Sequence, residues 1–331
     1  MEKLVSVYRG SIEESSHYGH IAIVDVSKGL KSALGDPNYI TYIRSAAKPL
    51  QVINLFLNDL DKQYGFTAEE IAVMCGSHGG EEIHCNAVNS VLEKIGLSTD
   101  YLQCGSHRPF SREAASRLNR LQQKPTSLHN NCSGKHAAML AMCVKYGWNT
   151  GNYLDPHHPV QTKLAETVAY ISDLRVRDLI IGIDGCGVPV YGMPLYNMAQ
   201  AFGRLANPNG LSESFALACS KVTKAMITSP HMLSAKEAID YNLMMETKGS
   251  VIAKIGAEAV YCIGLPNKGI GIALKVIDGS HRAIPPVVMK LLVKQNILDE
   301  HSLHHLSKFV QPEIINHAGL KVGYLSAEFD L

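Results

Sequence analysis

Residues 44–49 read RSAAKP, and here the chain turns from a short β-branched and aromatic run into a helix. Residues three apart on a helix lie on one face about one turn from each other, so Ser45 and Lys48 can meet. Pro49 fits this helix start, because the first helical amides lack intrahelical acceptors and a proline there loses no hydrogen bond. The pattern therefore predicts a helix from Ser45 to about Leu57 that opens on a serine–lysine pair.

A serine next to a lysine is a candidate nucleophile with its base. A lysine removes the serine proton when its pKa falls, and burial and the positive N-terminal end of a helix both disfavour the ammonium form. Ser-x-x-Lys is typical of serine β-lactamases and penicillin-binding proteins, and Lys254-Ile255-Gly256 at a strand end resembles their Lys-Thr-Gly strand. By itself, Ser45-x-x-Lys48 also fits a helix-start serine with a solvated lysine.

A second serine lies in the glycine-rich turn of residues 75–80, CGSHGG, which follows a predicted helix. Ser77 and His78 are sequence neighbours and cannot face each other as a serine–histidine pair. A catalytic Ser77 would therefore take its base from elsewhere, and Lys254 is the candidate. The alternative is a loop whose small residues only permit a tight turn.

Cysteines near helix and strand ends form a third group. Residues 130–136 read NNCSGKH and residues 182–189 read GIDGCGVP. Cys132 and Cys186, together with a neighbouring histidine or lysine, could hold zinc. The alternative is that both cysteines only pack in the core.

The element pattern predicts one α/β (α+β) domain over residues 1–331. Strands are predicted near both ends of the chain, helices occupy about 45–175, and residues 29–38 are predicted to be a turn-rich connection. The simplest packing is one central, mainly antiparallel sheet, built from about 1–43 and 250–280 and flanked by helices.

Composition excludes several classes of protein. The 331 residues include 31 Lys and Arg against 30 Asp and Glu, a net charge of +1. This balance, without a basic run, argues against nucleic-acid binding. No apolar stretch approaches the roughly 20 residues of a membrane span, and residues 1–9 alternate like a strand rather than a signal peptide. We expect a cytoplasmic protein with reduced cysteines.

Five blocks, in order, resemble the thermolabile, rhizobial-type (class 3) L-asparaginases, a family also related to serine β-lactamases and glutaminases. The blocks are RSxxKP at 44–49, GSHxGE at 76–81, CGxHxP at 104–109, NCSGKH at 131–136 and GIDGCGVP at 182–189.

The resemblance implies a β-lactamase-like fold, a homodimer and hydrolysis of L-asparagine through a serine acyl-enzyme with lysine as general base. It implies two pairs facing one pocket, Ser45 with Lys48 and Ser77 with Lys254; we favour Ser45 as the attacking residue. It also implies a zinc ion that is not essential for acyl transfer and is held by Cys132, Lys135 and Cys186. The candidate substrate-binding residues are Arg44, His78 and Asp184.

Lysine is an unusual zinc ligand, and the residue types alone favour His136 over Lys135. Arg44 and Asp184 could instead pair within the protein. Around residues 234–241 the chain departs from the family pattern at Ser234-Ala235, Ala238 and Tyr241, whereas Asp240 and Leu243 fit it. The departures leave the substrate open. The alternatives are another serine amidohydrolase, acting on glutamine or a β-lactam, and a non-catalytic sensor that binds an amino acid or a metal.

Overall fold

Strands from both ends of the chain build the central sheet of this mixed α/β structure. The computed structural model describes all residues from 1 to 331. The strands are β1 Glu2–Arg9, β2 Ile12–Asp25, β3 Gly29–Leu34, β4 Ile40–Tyr42, β5 Ile180–Ile183, β6 Pro189–Pro194, β7 Ile252–Gly256, β8 Val260–Leu265, β9 Ile270–Val276, β10 Glu313–Ile315 and β11 Lys321–Ala327.

The main sheet has the order β10-β11-β1-β2-β9-β8-β7, and β3 pairs with β2 off this path. Every pairing in it is antiparallel. The predicted mainly antiparallel sheet, formed by both chain ends and flanked by helices, is therefore confirmed. The remaining strands form a separate small sheet of order β4-β6-β5.

The boundaries predicted for the sheet were wrong at three places. Residues 29–34, predicted to be a connection, form β3, because pairing with β2 satisfies their backbone groups. Residues 40–42 pair with β6 in the small sheet instead of joining the main one. Residues 313–327, which carried no recognised motif, supply β10 and β11; Leu325 is buried beside β1, and the ring of Tyr324 stacks on Tyr8 at 5.1 Å.

The chain forms thirteen α-helices. They are α1 Lys48–Leu57, α2 Leu60–Tyr64, α3 Ala68–Cys75, α4 Glu82–Lys94, α5 Arg112–Arg120, α6 Ser133–Tyr146, α7 Pro159–Ile171, α8 Leu195–Ala206, α9 Glu213–Thr228, α10 Ile239–Thr247, α11 Ile284–Lys294, α12 Glu300–His305 and α13 Ser307–Val310. Thr67 and Glu70 form a capping box at the start of α3.

The alternating side chains of the sheet separate two hydrophobic cores. Along β2, Ala22 and Val24 join a core of 62 buried residues that includes α1, α3 and α6 to α9. Ile21 and Ile23 face the other way, into a core of 29 buried residues with α11. Because successive strand residues point to opposite faces, one strand can serve both cores. Helix α1 is buried along almost its whole length, and it carries Lys48 on the side of the sheet where the larger core lies.

None of the helices combines the length and the apolar character that crossing a membrane requires. All eight cysteines are buried and none forms a disulfide. They therefore act as small core residues or as free thiols.

Candidate functional site

Ser45 lies in a tight turn that precedes α1. Residues 44–47 form a 3-10 turn, and the backbone N–H of Lys48 donates to the Ser45 carbonyl. Arg44 has φ of 52°, a left-handed conformation that costs a non-glycine residue roughly 1–2 kcal/mol. Strained backbone of this kind persists where surrounding structure enforces it, and it often marks functional sites. The turn leaves Ser45 half-buried at the N-terminal end of the helix.

Strand β7 lies directly against this turn. A Cβ atom on Gly256 would approach the Ile43 carbonyl oxygen to 2.7 Å, so only glycine permits this contact between strand and turn. The close approach places Lys254, two residues earlier on β7, beside the N-terminal end of α1.

Ser77 follows α3 in a turn held by the segment after α9. A Cβ on Gly76 would lie 2.7 Å from the Met232 carbonyl oxygen, and the Ser77 N–H donates to the Leu233 carbonyl at 2.7 Å. The Ser77 side chain is 9% exposed. The backbone amide of Ser77 therefore already has a hydrogen-bond acceptor, while the side-chain hydroxyl points into the protein.

Two buried lysines converge on the Ser77 hydroxyl. Lys48 Nζ and Lys254 Nζ each donate to Ser77 Oγ at 3.0 Å. Lys48 also donates to the Gly76 carbonyl at 2.7 Å and to the Asn131 carbonyl at 3.0 Å. Both lysines are fully buried. We call Lys48, Ser77 and Lys254 the lysine–serine cluster.

Burial disfavours the ammonium form of both lysines. Desolvation is the largest cause that lowers the pKa of Lys48. Desolvation also lowers the pKa of Lys254 to about 8, and the nearby charge of Lys48 adds to this effect. The neutral form of Lys254, which a general base requires, is therefore far more accessible near physiological pH than that of an ordinary lysine.

Asp240 is a part of the site that the sequence reasoning did not assign. It is fully buried, lies 3.9 Å from Lys254 Nζ, and accepts the Ile255 N–H at 3.0 Å through Oδ2. Its charge raises the pKa of Lys254 and so opposes part of the effect of burial. Residues on both sides of Asp240 depart from the family pattern, but nothing in the sequence links Asp240 to Lys254.

The structure brings Ser77 and Lys254 together, as expected, but Lys48 points differently. Its amine turns to Ser77 and to two backbone carbonyls, whereas its contact with Ser45 is the backbone hydrogen bond of the turn. A spacing of three residues fixes which residues are neighbours, but the side-chain direction is set by the buried carbonyls that the ammonium must satisfy.

His78 does not face a substrate site. Its Nδ1 accepts the Gly80 N–H at 3.1 Å, which leaves Nε2 protonated and 2.9 Å from Ser133 Oγ. The ring is fully buried, and burial lowers its pKa well below the usual histidine value. Both nitrogens have protein partners, so the substrate-binding role predicted for His78 does not fit this position.

Arg44 and Asp184, the other two predicted substrate-binding residues, contact each other. Arg44 Nε donates to Asp184 Oδ1 at 2.9 Å. Burial would raise the pKa of Asp184, but Lys135 and Arg44 outweigh it and lower that pKa. The ion pair connects the Ser45 turn to the loop that follows β5.

Three predicted zinc ligands also meet. Lys135 Nζ lies 3.0 Å from Cys186 Sγ and 3.6 Å from Asp184 Oδ2. The ligand atoms of Cys132, Asp184 and Cys186 all lie within 4.8 Å of one another. We call these four residues the thiol cluster. His136 is not part of it, because its Nδ1 lies 2.8 Å from the hydroxyl of Tyr153.

The charges in the thiol cluster act on one another. A hydrogen bond from Cys186 lowers the pKa of the Cys132 thiol well below its usual value, while the pKa of Cys186 itself is raised. Burial works against the charged form of Lys135, but Cys132, Cys186 and Asp184 outweigh it and raise its pKa. These mutual effects favour the ammonium form of Lys135 and the thiolate form of Cys132.

The donor set of the thiol cluster fits a zinc ion. Two thiols and a carboxylate are ordinary zinc ligands, and their atoms are already close together. Asp184 is thus a conventional candidate ligand that the sequence reasoning had assigned to substrate. Lys135 could bind a metal only after losing its proton.

A second glycine-containing loop supports these residues. The Asn130 side chain donates to the Cys104 carbonyl at 2.8 Å, and its Oδ1 accepts the Cys132 N–H at 2.8 Å. The Asn131 N–H donates to His107 Nε2 at 3.0 Å. These contacts fix the loop that presents the Asn131 carbonyl to Lys48.

Comparisons with solved structures give weak similarities. The structure of Mglu in its native form in 4.3 M NaCl is similar to 89% of this chain, with a TM-score of 0.49 and 14% identity. A β-lactamase from Mycobacterium bovis is similar to 83% of this chain and 94% of its own, with a TM-score of 0.39 and 12% identity. The chain spans 66% of the Mglu chain.

A search of curated protein sequences finds no significant match. By contrast, the family described as L-asparaginase II matches residues 5–327, nearly the whole length. The matched range includes the lysine–serine cluster, the thiol cluster and the strands from both chain ends. The chain therefore belongs to the L-asparaginase II family of amidohydrolases.

Proposed function

We propose that this protein hydrolyses L-asparagine to L-aspartate and ammonia through an acyl-enzyme on Ser45. The family membership supports amide hydrolysis. The observation that carries the mechanism is the position of Ser77 Oγ, 3.0 Å from each of two buried lysine amines.

Ser45 is the better nucleophile of the two serines. It is half-buried, and therefore open to a substrate, at the start of a helix whose positive end favours developing negative charge. Ser77 is buried, and its backbone N–H is already bonded to Leu233, so it cannot donate that amide to an oxyanion.

In the first half-reaction, Ser45 Oγ forms a bond to the side-chain carbonyl carbon of asparagine. Its proton passes into the lysine–serine cluster, where the pKa values of both lysines are lowered. The Ser77 hydroxyl, placed between the two lysines, donates its proton to the leaving nitrogen and is reprotonated by a lysine. The carbon–nitrogen bond breaks and ammonia leaves.

In the second half-reaction, a water molecule attacks the ester carbonyl of the acyl-enzyme. A neutral lysine of the cluster takes the water proton, the ester bond to Ser45 breaks, and the serine oxygen recovers a proton. Aspartate is released and the lysine–serine cluster returns to its starting protonation.

We also propose that zinc binds Cys132, Cys186 and Asp184, with Lys135 beside them. Bound there, the ion would supply positive charge for orienting a polar substrate group. Because Asp184 also pairs with Arg44, this site is connected to the turn that carries Ser45. Ser45 and the lysine–serine cluster perform acyl transfer without it.

The resemblance to the family further implies a homodimer, which we retain as a proposal. Light scattering after gel filtration tests it. We expect twice the chain mass of 36.1 kDa, whereas a particle of one chain mass would contradict it.

The experiment that tests the function is ammonia release from L-asparagine and L-glutamine by the purified protein, with and without added zinc. We expect faster release from asparagine, and none after Ser45→Ala. Ser106→Ala, an exposed serine in the similar CGSH loop at 104–107, serves as the control and should retain activity. No release from asparagine by the folded wild-type protein would contradict the proposal, and faster release from glutamine would reassign the substrate.

A further inference from the structure

A second group of metal-binding side chains lies where α10 meets α12, outside both clusters described above. Glu246 comes from the last turn of α10, and His301 and His305 come from α12. His305 Nδ1 lies 3.0 Å from Glu246 Oε2. The imidazole rings of the two histidines lie 4.2 Å apart between centroids. One ligand atom from each of the three residues lies within 4.8 Å of the others.

The spacing explains how the two histidines come together. Residues 301 and 305 are four apart, which places both rings on the same face of a helix. The third donor comes from a different helix, so the group is not a consequence of helix periodicity alone. Glu246 is 20% exposed, and the His305 side chain is 48% exposed, which leaves the group open to an ion from solvent.

The residue types select a kind of ion. Imidazole nitrogens suit zinc, copper and nickel, whereas calcium and magnesium prefer sites made wholly of oxygens. Two histidines and one glutamate are also a known three-residue ligand set for zinc with a remaining open position. Another histidine–glutamate pair differs from this group, because it lacks a third metal-binding side chain. It consists of His231 and Glu69, whose Nε2 and Oε1 atoms lie 3.2 Å apart.

We propose that Glu246, His301 and His305 form a second binding site for a divalent transition metal such as zinc. The ion would link α12 to α10. A contact already joins this region, since Lys308 Nζ donates to the Asn242 side chain at 3.0 Å. Metal at this site would therefore stabilise the packing of α10 against the C-terminal helices.

Helix α10 connects this site with the lysine–serine cluster. Asp240, beside Lys254, is six residues before Glu246, roughly 9 Å along the helix axis at 1.5 Å per residue. The new site takes no part in the acyl-transfer steps. Its effect is on the stability of the helix that holds Asp240.

The test uses the full-length protein with Cys132→Ser and Cys186→Ser, which removes the thiols of the other cluster. Zinc chloride is titrated by calorimetry, and bound zinc is counted by elemental analysis after dialysis. We expect one equivalent of zinc and a higher melting temperature with zinc than with a chelator. Adding His301→Gln or Glu246→Gln should remove both the bound zinc and the thermal shift.

His304→Gln is the matched control, because His304 is exposed on the same helix but is not one of the three clustered residues. It should keep the bound zinc and the thermal shift. No bound zinc in the double-serine protein would overturn the proposal, as would equal binding by the His301→Gln and His304→Gln variants. Ammonia release is not the readout, so this result is separate from the proposed catalytic function.

Discussion

The lysine–serine cluster and the thiol cluster both contain a fully or nearly fully buried lysine, yet the two environments act on the amine in opposite directions. Burial lowers the pKa of Lys48 and of Lys254, and a nearby positive charge adds to this effect, from Lys135 on Lys48 and from Lys48 on Lys254. In the thiol cluster, Cys132, Cys186 and Asp184 overcome burial and raise the pKa of Lys135. A buried lysine can thus act as a base where burial dominates its pKa, and as a fixed cation where neighbouring acidic groups outweigh burial.

The largest effect should come from removing one lysine from each cluster. Methionine is a flexible apolar side chain that can occupy the space of a buried lysine. We expect Lys48→Met to lower kcat for ammonia release by up to about 10⁴-fold, because a general base is lost. Lys135→Met should mainly weaken zinc binding, by about 10- to 100-fold, as removal of a supporting group does.

The control for this comparison is the circular dichroism spectrum and melting curve of each variant, which show whether it is folded. Folded Lys48→Met with normal turnover would contradict the assignment of a base to the lysine–serine cluster. A larger loss of turnover from Lys135→Met than from Lys48→Met would place the essential amine in the thiol cluster instead.

A smaller effect should follow from the carboxylate next to Lys254. The rate of the wild-type protein should fall as the pH drops below about 8, because Lys254 becomes protonated. The charge of Asp240 raises the pKa of Lys254, so Asp240→Asn should lower that pKa. The acid side of the pH–rate profile should therefore move to lower pH.

The profile is measured as kcat/KM for L-asparagine across the pH range. Glu237→Gln removes the same charge from the same segment, but at an exposed position, and should leave the profile unchanged. A shift to higher pH in Asp240→Asn would show that Asp240 does not act on Lys254 as proposed.

The smallest effect concerns the turn that links the two clusters. Arg44→Ala and Arg44→Gly both remove the ion pair with Asp184, but only glycine adopts φ of 52° without strain. We expect the free energy of unfolding of Arg44→Gly to exceed that of Arg44→Ala by about 1 kcal/mol. Urea denaturation measures this difference. A lower stability of Arg44→Gly than of Arg44→Ala would contradict the inference that the backbone at Arg44 is strained.

Much of the site was predictable because its parts lie on short motifs. The family resemblance implied that Ser77 pairs with Lys254, and the structure places Lys254 Nζ 3.0 Å from Ser77 Oγ. Asp240 was not predictable as a partner of Lys254, because the contact depends on how α10 packs against β7. The direction of Lys48 was missed for a similar reason, since carbonyls distant in sequence determine it.

The fold likewise has parts that local sequence predicts and parts that depend on tertiary contacts. Strands near both chain ends were predicted from their local sequence, whereas β3 and β11 carry weaker patterns and depend on neighbouring strands. Residues 321–327 become recognisable as a strand only when β1 is beside them. Local patterns thus predicted the elements with strong periodicity, and tertiary pairing supplied the others.

In the proposed mechanism, Ser45 carries the acyl group while Ser77 passes a proton from a lysine to the leaving nitrogen. The most direct measurement mixes the protein with L-asparagine, quenches the reaction in acid within a single turnover, and locates the acyl group by peptide mass spectrometry. We predict an aspartyl ester on Ser45, absent from Ser45→Ala and still formed, more slowly, by Ser77→Ala. An aspartyl ester on Ser77 in the wild-type protein would contradict the account.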